Sequence, residues 1–152
     1  MPEIPVTGSL CGFHKDMSPA DSAVETKVET TPYERMGGEA TVRRLVDRFY
    51  DIMDSAPEAA GIRAMHAKDL APMRERLFDF LSGWLGGPPI YFQRPDQKCI
   101  VSAHGAFAIG AAERDAWMMC MRRAMEDCGV AADVRALLDP AFLRMAEAFR
   151  NR

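Results

Sequence analysis

Residues 104–129, HGAFAIGAAERDAWMMCMRRAMEDCG, contain the clearest structural pattern in the chain. Glu113 and Asp115 come early in this stretch, where acidic side chains interact favourably with the dipole of a helix that starts after Gly110. Gly129 supplies the residue type that commonly ends a helix. Apolar residues recur at steps of three and four, the spacing of one helical face: Trp117, Cys120, Met121, Ala124, Met125 and Cys128. The pattern predicts a long helix that buries this face.

Upstream, helical signals extend back to Thr31. The segment 31–34, TPYE, is a capping box with proline at the first helical position, and Gly37-Gly38 predicts the turn that ends this short helix. Pro57 and Gly61 indicate a loop after the next helix. That next helix is predicted from apolar residues at helical spacing: Val42, Leu45, Val46, Phe49 and Met53.

The middle of the chain predicts one more regular helix and an irregular stretch. This helix can start at Asp69, and residues 86–89, GGPP, end it. Residues 90–103 look irregular, with one helical turn expected before His104. The apolar face of the helix is predicted at Leu77, Phe80, Leu81 and Trp84.

The two ends of the chain differ in pattern. Asp139-Pro140 predicts the start of a last helix, whose face is Phe142, Met145, Ala146 and Phe149. Residues 1–30 show no sustained apolar period and are expected to form a flexible extension, with one short helix around residues 19–27. No segment shows the alternation of a strand, so the expected fold is all-α.

Composition bounds the class of protein. The chain has 152 residues, 48% of them hydrophobic, which suits one domain with a core. A formal net charge of -3 gives no basic field for nucleic acid or an acidic membrane. The apolar runs are too short to span a bilayer and no secretory signal is visible, so a cytoplasmic protein is expected. A disulfide framework is not expected in that reducing compartment, and Cys120 and Cys128 are expected in the core.

Four segments together resemble the group II truncated haemoglobins over residues 33–125. They are YERMGG, LVDRFYDIM, LFDFLSGWLGGPP and HGAFAIGAAERDAWMMCM. The most specific piece is the pattern H-x-x-F-x-I-x-x-x-E-R-D-x-W, which begins at His104. The resemblance implies a truncated globin over residues 31–152, a two-over-two helical sandwich around haem b.

The same resemblance assigns roles to individual residues. It implies that His104 is the proximal iron ligand, and that Tyr50, His66 and Trp117 face the bound gas on the distal side. The remaining implied haem contacts, among which Arg76 and Tyr91 match propionate positions, are Phe49, Met73, Arg76, Leu77, Phe80, Tyr91, Phe107, Ile109 and Met121. The chain departs from the family near the iron ligand, since Ala103 replaces an arginine and Ala106 replaces a proline.

The residue types suit this chemistry, although each also has a structural interpretation. Neutral imidazole is the usual globin ligand of ferrous haem, and His104 is flanked by small residues; a surface or capping histidine is the alternative. A hydroxyl at Tyr50, an indole N–H at Trp117 and a ring N–H at His66 would stabilise partial negative charge on O2. The structural interpretation of Trp117 is plain core packing. That of Tyr50 is packing at the edge of a helix, and that of Arg76 is a solvated charge.

Three functions remain open from the sequence. The first is a haem protein that binds O2, NO and CO. It would serve in oxygen transport, or it would turn over as an NO dioxygenase or peroxidase with electrons from an unidentified reductase. The second is a haem-based gas sensor or ligand-binding module without catalysis. The third is a haem-free helical interaction protein, for which the motif match would be accidental. Enzymatic activity and oligomeric state stay undetermined.

Overall fold

The structure, a computed structural model, describes residues 30–95 and 99–152. These ranges contain helices and no strand, which confirms the all-α expectation. The helix predicted around residues 19–27 lies outside them. A single 3-10 turn, Pro57–Ala59, accompanies the α-helices: α1 Pro32–Met36, α2 Glu39–Ser55, α3 Ala60–Ala64, α4 Ala71–Trp84, α5 Ile90–Gln93, α6 Ile100–His104, α7 Ala111–Asp127 and α8 Ala132–Ala148.

Four long helices form the core. Helix α2 packs against α4 and α7, and α7 packs in turn against α8. The predicted apolar faces point inward, because Leu45, Phe49, Trp84, Met121 and Phe142 are all fully buried. The two pairs of helices have the contacts expected of a two-over-two sandwich. None of the helices in the described ranges is long and apolar enough to cross a membrane.

Helix α1 starts and ends as the sequence predicts. The Glu34 amide donates to the Thr31 hydroxyl at 3.2 Å, and the Thr31 amide donates to the Glu34 carboxylate at 3.4 Å, which completes the capping box. Gly37 has a φ of 121°, a left-handed conformation that favours glycine. The Tyr33 amide donates to the Leu85 carbonyl at 3.0 Å, which fastens α1 to the end of α4.

The loop predicted at Pro57 and Gly61 is wrong. Pro57 starts the 3-10 turn and Gly61 lies inside α3. Proline is compatible with a first helical turn because the amide it lacks would have no intrahelical partner there. Burial of Ala59 and Ile62 supplies the packing that holds this segment in place. His66 therefore follows a helical segment and does not lie in an open loop.

The predicted start of the last helix is also wrong. Helix α8 begins at Ala132, and Pro140 lies in its interior. Val134 and Leu138 are buried and continue the apolar face across the proline, so tertiary packing offsets the missing hydrogen bond. Asp139 does not cap the helix but accepts hydrogen bonds from the Arg122 guanidinium.

Smaller differences affect the middle of the chain. Helix α4 begins at Ala71, two residues later than predicted, and the Asp69 carboxylate accepts from the Ala71 amide at 3.0 Å. Helix α5 falls within the stretch expected to be irregular, whereas the turn predicted before His104 is present as α6.

The cysteines divide between two states. Cys120 is a buried free thiol and Cys128 a half-buried one, and both pack in the core as predicted. Burial raises the pKa of both thiols, which keeps them protonated. Cys99, the residue before α6, is disulfide-bonded, contrary to the expectation of fully reduced cysteines.

Candidate functional site

His104 is the last residue of α6 and presents one ring nitrogen without a partner. Its Nδ1 donates to the Ile100 carbonyl at 2.7 Å, because a carbonyl can only accept. In the neutral ring Nε2 then carries the lone pair, and it makes no hydrogen bond to any described residue. Burial lowers the pKa of His104, the hydrogen bond to Ile100 raises it, and nearby His66 lowers it further. The ring is therefore neutral at pH 7 and suited to bind a metal through Nε2.

His66, just after α3, repeats this arrangement. Its Nδ1 donates to the Ile62 carbonyl at 2.8 Å, four residues earlier, and its Nε2 is left without a described partner. The sequence interpretation gave His66 a ring N–H directed at the ligand. That N–H is already used by Ile62, so the neutral ring offers an acceptor at Nε2 and donates there only when protonated. Charge on His66 would also oppose protonation of His104, since it contributes to the lowered pKa of that ring.

Tyr50 lies on α2 with its ring against His66. The two ring centroids are 5.9 Å apart, and Phe49 packs on Tyr50 at 5.0 Å, both edge to face. Tyr50 is only 5% exposed, yet its hydroxyl makes no hydrogen bond to any described residue. Burial raises the pKa of this hydroxyl, an effect that the nearby Arg74 guanidinium partly opposes. Tyr50 is therefore a neutral hydrogen-bond donor with nothing in the described chain to receive its proton.

Trp117 lies on α7 and packs at the edge of the core. Its ring contacts Phe49 at 5.3 Å and Phe142 at 5.8 Å, as the core interpretation expected. The side chain is only half-buried, and its indole N–H makes no hydrogen bond to a described residue. Contacts between rings thus connect Trp117 through Phe49 and Tyr50 to His66. The series of ring contacts therefore begins at Trp117, beside the core, and ends at His66.

The residues predicted as apolar haem contacts differ in how deeply they are buried. Phe107, in contrast to the others, is 41% exposed, although it follows His104 by only three residues. Tyr91 is buried and packs edge to face on Phe80, with 5.6 Å between centroids. The buried members are Phe49, Phe80, Ile109 and Met121, and the half-buried members are Met73 and Leu77.

Two neighbouring arginines on α4 differ in their availability to an anion. The Arg74 guanidinium already contacts the carboxylates of Asp47 at 3.3 Å and Asp51 at 2.9 Å. Arg76 is exposed and has no ion pair with any residue that the structure describes. A carboxylate held near this helix would therefore find Arg76 available for a charge-assisted hydrogen bond.

The surface beside His104 is apolar and poorly covered. No residue of α6 is buried, and Phe107 projects from the turn that follows. Within residues 30–95 and 99–152, no three histidine, cysteine, aspartate or glutamate side chains cluster to hold a bare metal ion. An iron at His104 would therefore need its other ligands from a cofactor. A flat apolar group that brings four nitrogens, as porphyrin does, fits this set of residues.

Two residues that contact this region were not recognised as functional from the sequence. Phe149 stacks on the His104 ring with 4.2 Å between centroids and an interplanar angle of 5°. Asn151 binds the turn after His104 through its side-chain amide. Phe149 had been placed on the apolar face of the last helix, whereas nothing in the sequence pattern distinguishes Asn151.

A separate groove on the surface contains none of the predicted site residues. It encloses about 830 Å³ between α7 and α8, where Arg114, Arg122 and Glu147 line it. Its charges are largely paired, since Arg114 binds both Asp115 at 2.9 Å and Glu147 at 2.7 Å. Arg114 thus pairs within α7 and with α8, while Glu113 caps α7 by accepting from the Gly110 amide.

Comparison with known proteins places the whole described region in one family. The model of the family described as bacterial-like globin matches residues 31–151. The chain is 33% identical over 107 residues to the group 2 truncated hemoglobin YjbI of Bacillus subtilis (strain 168), a match that covers 70% of this chain and 78% of the relative.

Solved structures agree with this assignment. The group II 2-on-2 hemoglobin from Agrobacterium tumefaciens is 41% identical, with a TM-score of 0.77 and coverage of 82% of this chain and 96% of that one. A truncated oxygen-avid haemoglobin from Bacillus subtilis is 30% identical, with a TM-score of 0.73 and coverage of 80% of this chain and all (100%) of that one. The all-α sandwich described above is therefore that of the two-on-two globins.

The buried environment of Tyr50 leads to a prediction about its ionisation. Because burial raises its pKa above the ordinary value of 10.0, Tyr50 should remain a neutral phenol at a pH where exposed tyrosines ionise. We expect Tyr50→Phe and the wild type to give equal tyrosinate absorbance at pH 10, with circular dichroism confirming that both stay folded. A smaller tyrosinate signal in the variant would show that Tyr50 ionises normally.

Proposed function

Because the chain belongs to the bacterial-like globin family, with group II truncated haemoglobins as its relatives, we propose that it is an oxygen-avid haem protein. The observation that carries the proposal is the pair of histidines whose Nδ1 atoms are both committed to backbone carbonyls, with unpartnered donors on Tyr50 and Trp117 nearby. Haem, the cofactor of globins, supplies a ferrous iron that binds O2, NO or CO. We infer haem b, since no cysteine pair of the type that attaches haem covalently is present in the sequence.

We assign the proximal position to His104. Its Nε2 is the available nitrogen, and the uncovered apolar surface of α6 and Phe107 would pack against the porphyrin face. The hydrogen bond from Nδ1 to Ile100 makes the imidazole a better electron donor and holds its orientation. Arg76, free of other ion pairs, would bind a propionate.

We assign the distal position to the residues around Tyr50. The Tyr50 hydroxyl and the Trp117 indole can both donate to O2, whose outer atom carries partial negative charge when it is bound. Neutral His66 offers no N–H at Nε2, so there it can only accept a hydrogen bond. Polar donors in a largely dry pocket slow the escape of O2.

The assignment of the proximal histidine is tested by removing each imidazole in turn. We expect His104→Gly to lose haem on gel filtration and to regain a histidine-like ferric spectrum when haemin and free imidazole are added together, because the added base replaces the axial nitrogen. His66→Gly, the matched control, should retain haem. The opposite result, with haem lost only from the His66 variant, would exchange the two assignments, and a wild type that takes up no haemin would refute the proposed function.

The distal assignment predicts faster release of O2 from variants that lack a donor. A hydrogen bond to a charged acceptor contributes about 1.5–3 kcal/mol, so Tyr50→Phe and Trp117→Phe should each raise the O2 dissociation rate by about 10- to 100-fold. The double variant should show less than the product of both effects, because the donors share one ligand. Stopped-flow replacement of O2 by CO measures these rates.

Tyr33→Phe is the control for that experiment, since it removes a hydroxyl from a ring that packs against Gly87, away from the two histidines. Its O2 dissociation rate should equal that of the wild type. If all three variants release O2 at the wild-type rate, the proposed donors do not face the ligand.

Slow release favours reactive use of O2 over its transport, so we further propose turnover with NO or peroxide. We expect the oxygenated protein to convert added NO into nitrate, a reaction that takes up one electron and therefore needs a reductase for repeated cycles. Ion chromatography measures the nitrate, and oxidation of a phenol measures turnover of peroxide. A protein that exchanges O2 for NO without nitrate and leaves the phenol unoxidised would instead support the gas-sensor alternative.

A further inference from the structure

The segment after α8 contacts His104 on the flat face of its ring. Phe149 lies parallel to the imidazole, with a centroid separation of 4.2 Å and an angle of 5° between the planes. The backbone of Phe149 is fixed in turn, because its amide donates to the Ala146 carbonyl at 3.2 Å. A parallel neighbour at this distance blocks rotation of the imidazole toward α8.

Asn151 fastens the turn that follows His104. Its Nδ2 donates to the Phe107 carbonyl at 2.7 Å, and its Oδ1 accepts from the Ile109 amide at 2.9 Å. The Ile109 carbonyl accepts from the backbone amides of Asn151 at 2.8 Å and Arg152 at 3.1 Å. Four hydrogen bonds thus join residues 151–152 to the turn between α6 and α7.

These two contacts act on a short element whose own packing is limited. Helix α6 has only five residues and none of them is buried, although Ile100 packs half-buried against the core and the disulfide at Cys99 precedes the helix. The hydrogen bond from Nδ1 to Ile100 lies within α6 and moves with it. Direct restraint on the His104 ring from outside α6 comes from Phe149 at its face, and Asn151 holds the turn that follows.

We propose that Phe149 and Asn151 position the proximal imidazole and set the orientation of its ring about the iron–nitrogen bond. The inference rests on the proposed function of His104. Phe149 fixes the plane of the ring, and Asn151 fixes the position of the turn that follows His104. Neither side chain contacts the gas ligand, so both are positioning residues that act through His104.

The stack is tested first in the haem-free full-length chain, the state in which its geometry is described. An aromatic ring lying parallel to an imidazole moves the imidazole proton signals upfield, and the chain has only three histidines to assign. We expect Phe149→Leu to abolish this shift at His104, while Phe149→Tyr, which keeps the ring, retains it. Unchanged His104 signals in the leucine variant would overturn the stack.

The positioning role is then tested in the chain reconstituted with haemin. Resonance Raman spectroscopy of the ferrous protein measures the iron–histidine stretch, which a purely structural role would not alter. We expect Phe149→Leu to shift or broaden this band and to speed haemin loss about two- to tenfold, as expected for one aromatic pair. The tyrosine variant should restore the wild-type band, and equal bands in all three proteins would overturn the proposal.

Asn151 provides a second variant that leaves the core intact. Asn151→Asp keeps the size of the side chain but replaces the donor to the Phe107 carbonyl with an acceptor, so it should also alter the iron–histidine band. Arg152→Ala is its control, because Arg152 uses only its backbone amide in this contact. Equal bands in the Asp and Ala variants would overturn the role of Asn151. A chain that binds no haemin overturns the proposed function, whereas the haem-free spectra still decide the stack.

Discussion

The candidate site depends on one hydrogen bond, from His104 Nδ1 to the Ile100 carbonyl one helical turn earlier. This bond favours the tautomer in which Nε2 carries the lone pair, and it leaves that nitrogen as the one available to an axial metal. It requires α6 to be helical, because a carbonyl four residues earlier lies within reach only in a helix. The local conformation of five residues therefore determines the chemistry that is available at His104.

The second histidine of the candidate site has the same local hydrogen bond as His104. His66 also commits Nδ1 to a carbonyl four residues earlier, so both imidazoles present acceptors and neither supplies a ring N–H in its neutral form. The available donors are Tyr50 and Trp117, and rings of the core hold both of them. The same two side chains therefore pack in the core through their rings and present a polar hydrogen that no described residue accepts.

The two sides also differ in how firmly the chain holds them. Tyr50 and Trp117 belong to long helices that pack on each other through the core, whereas His104 belongs to a short helix with no buried residue. Contacts from the segment after α8, together with the disulfide at Cys99, consequently carry more of the support on the His104 side. This asymmetry makes the ring of Phe149 and the amide of Asn151 more important than their places in the sequence indicate.

The sequence by itself determined the helices with strong periodicity, the capping box at Thr31 and the end of α1 at Gly37, because these depend on neighbours within one or two turns. Its family motif also led to the roles proposed for His104, Tyr50 and Trp117. Tertiary structure decided what local rules cannot: Pro140 lies inside α8 because buried residues on both sides of it outweigh one lost hydrogen bond, and Phe149 reaches His104 across 45 positions of chain because α8 brings it there. The tautomer of His66 was likewise decided by the helical turn before it. Pro57 and Gly61 had predicted a loop in place of that turn.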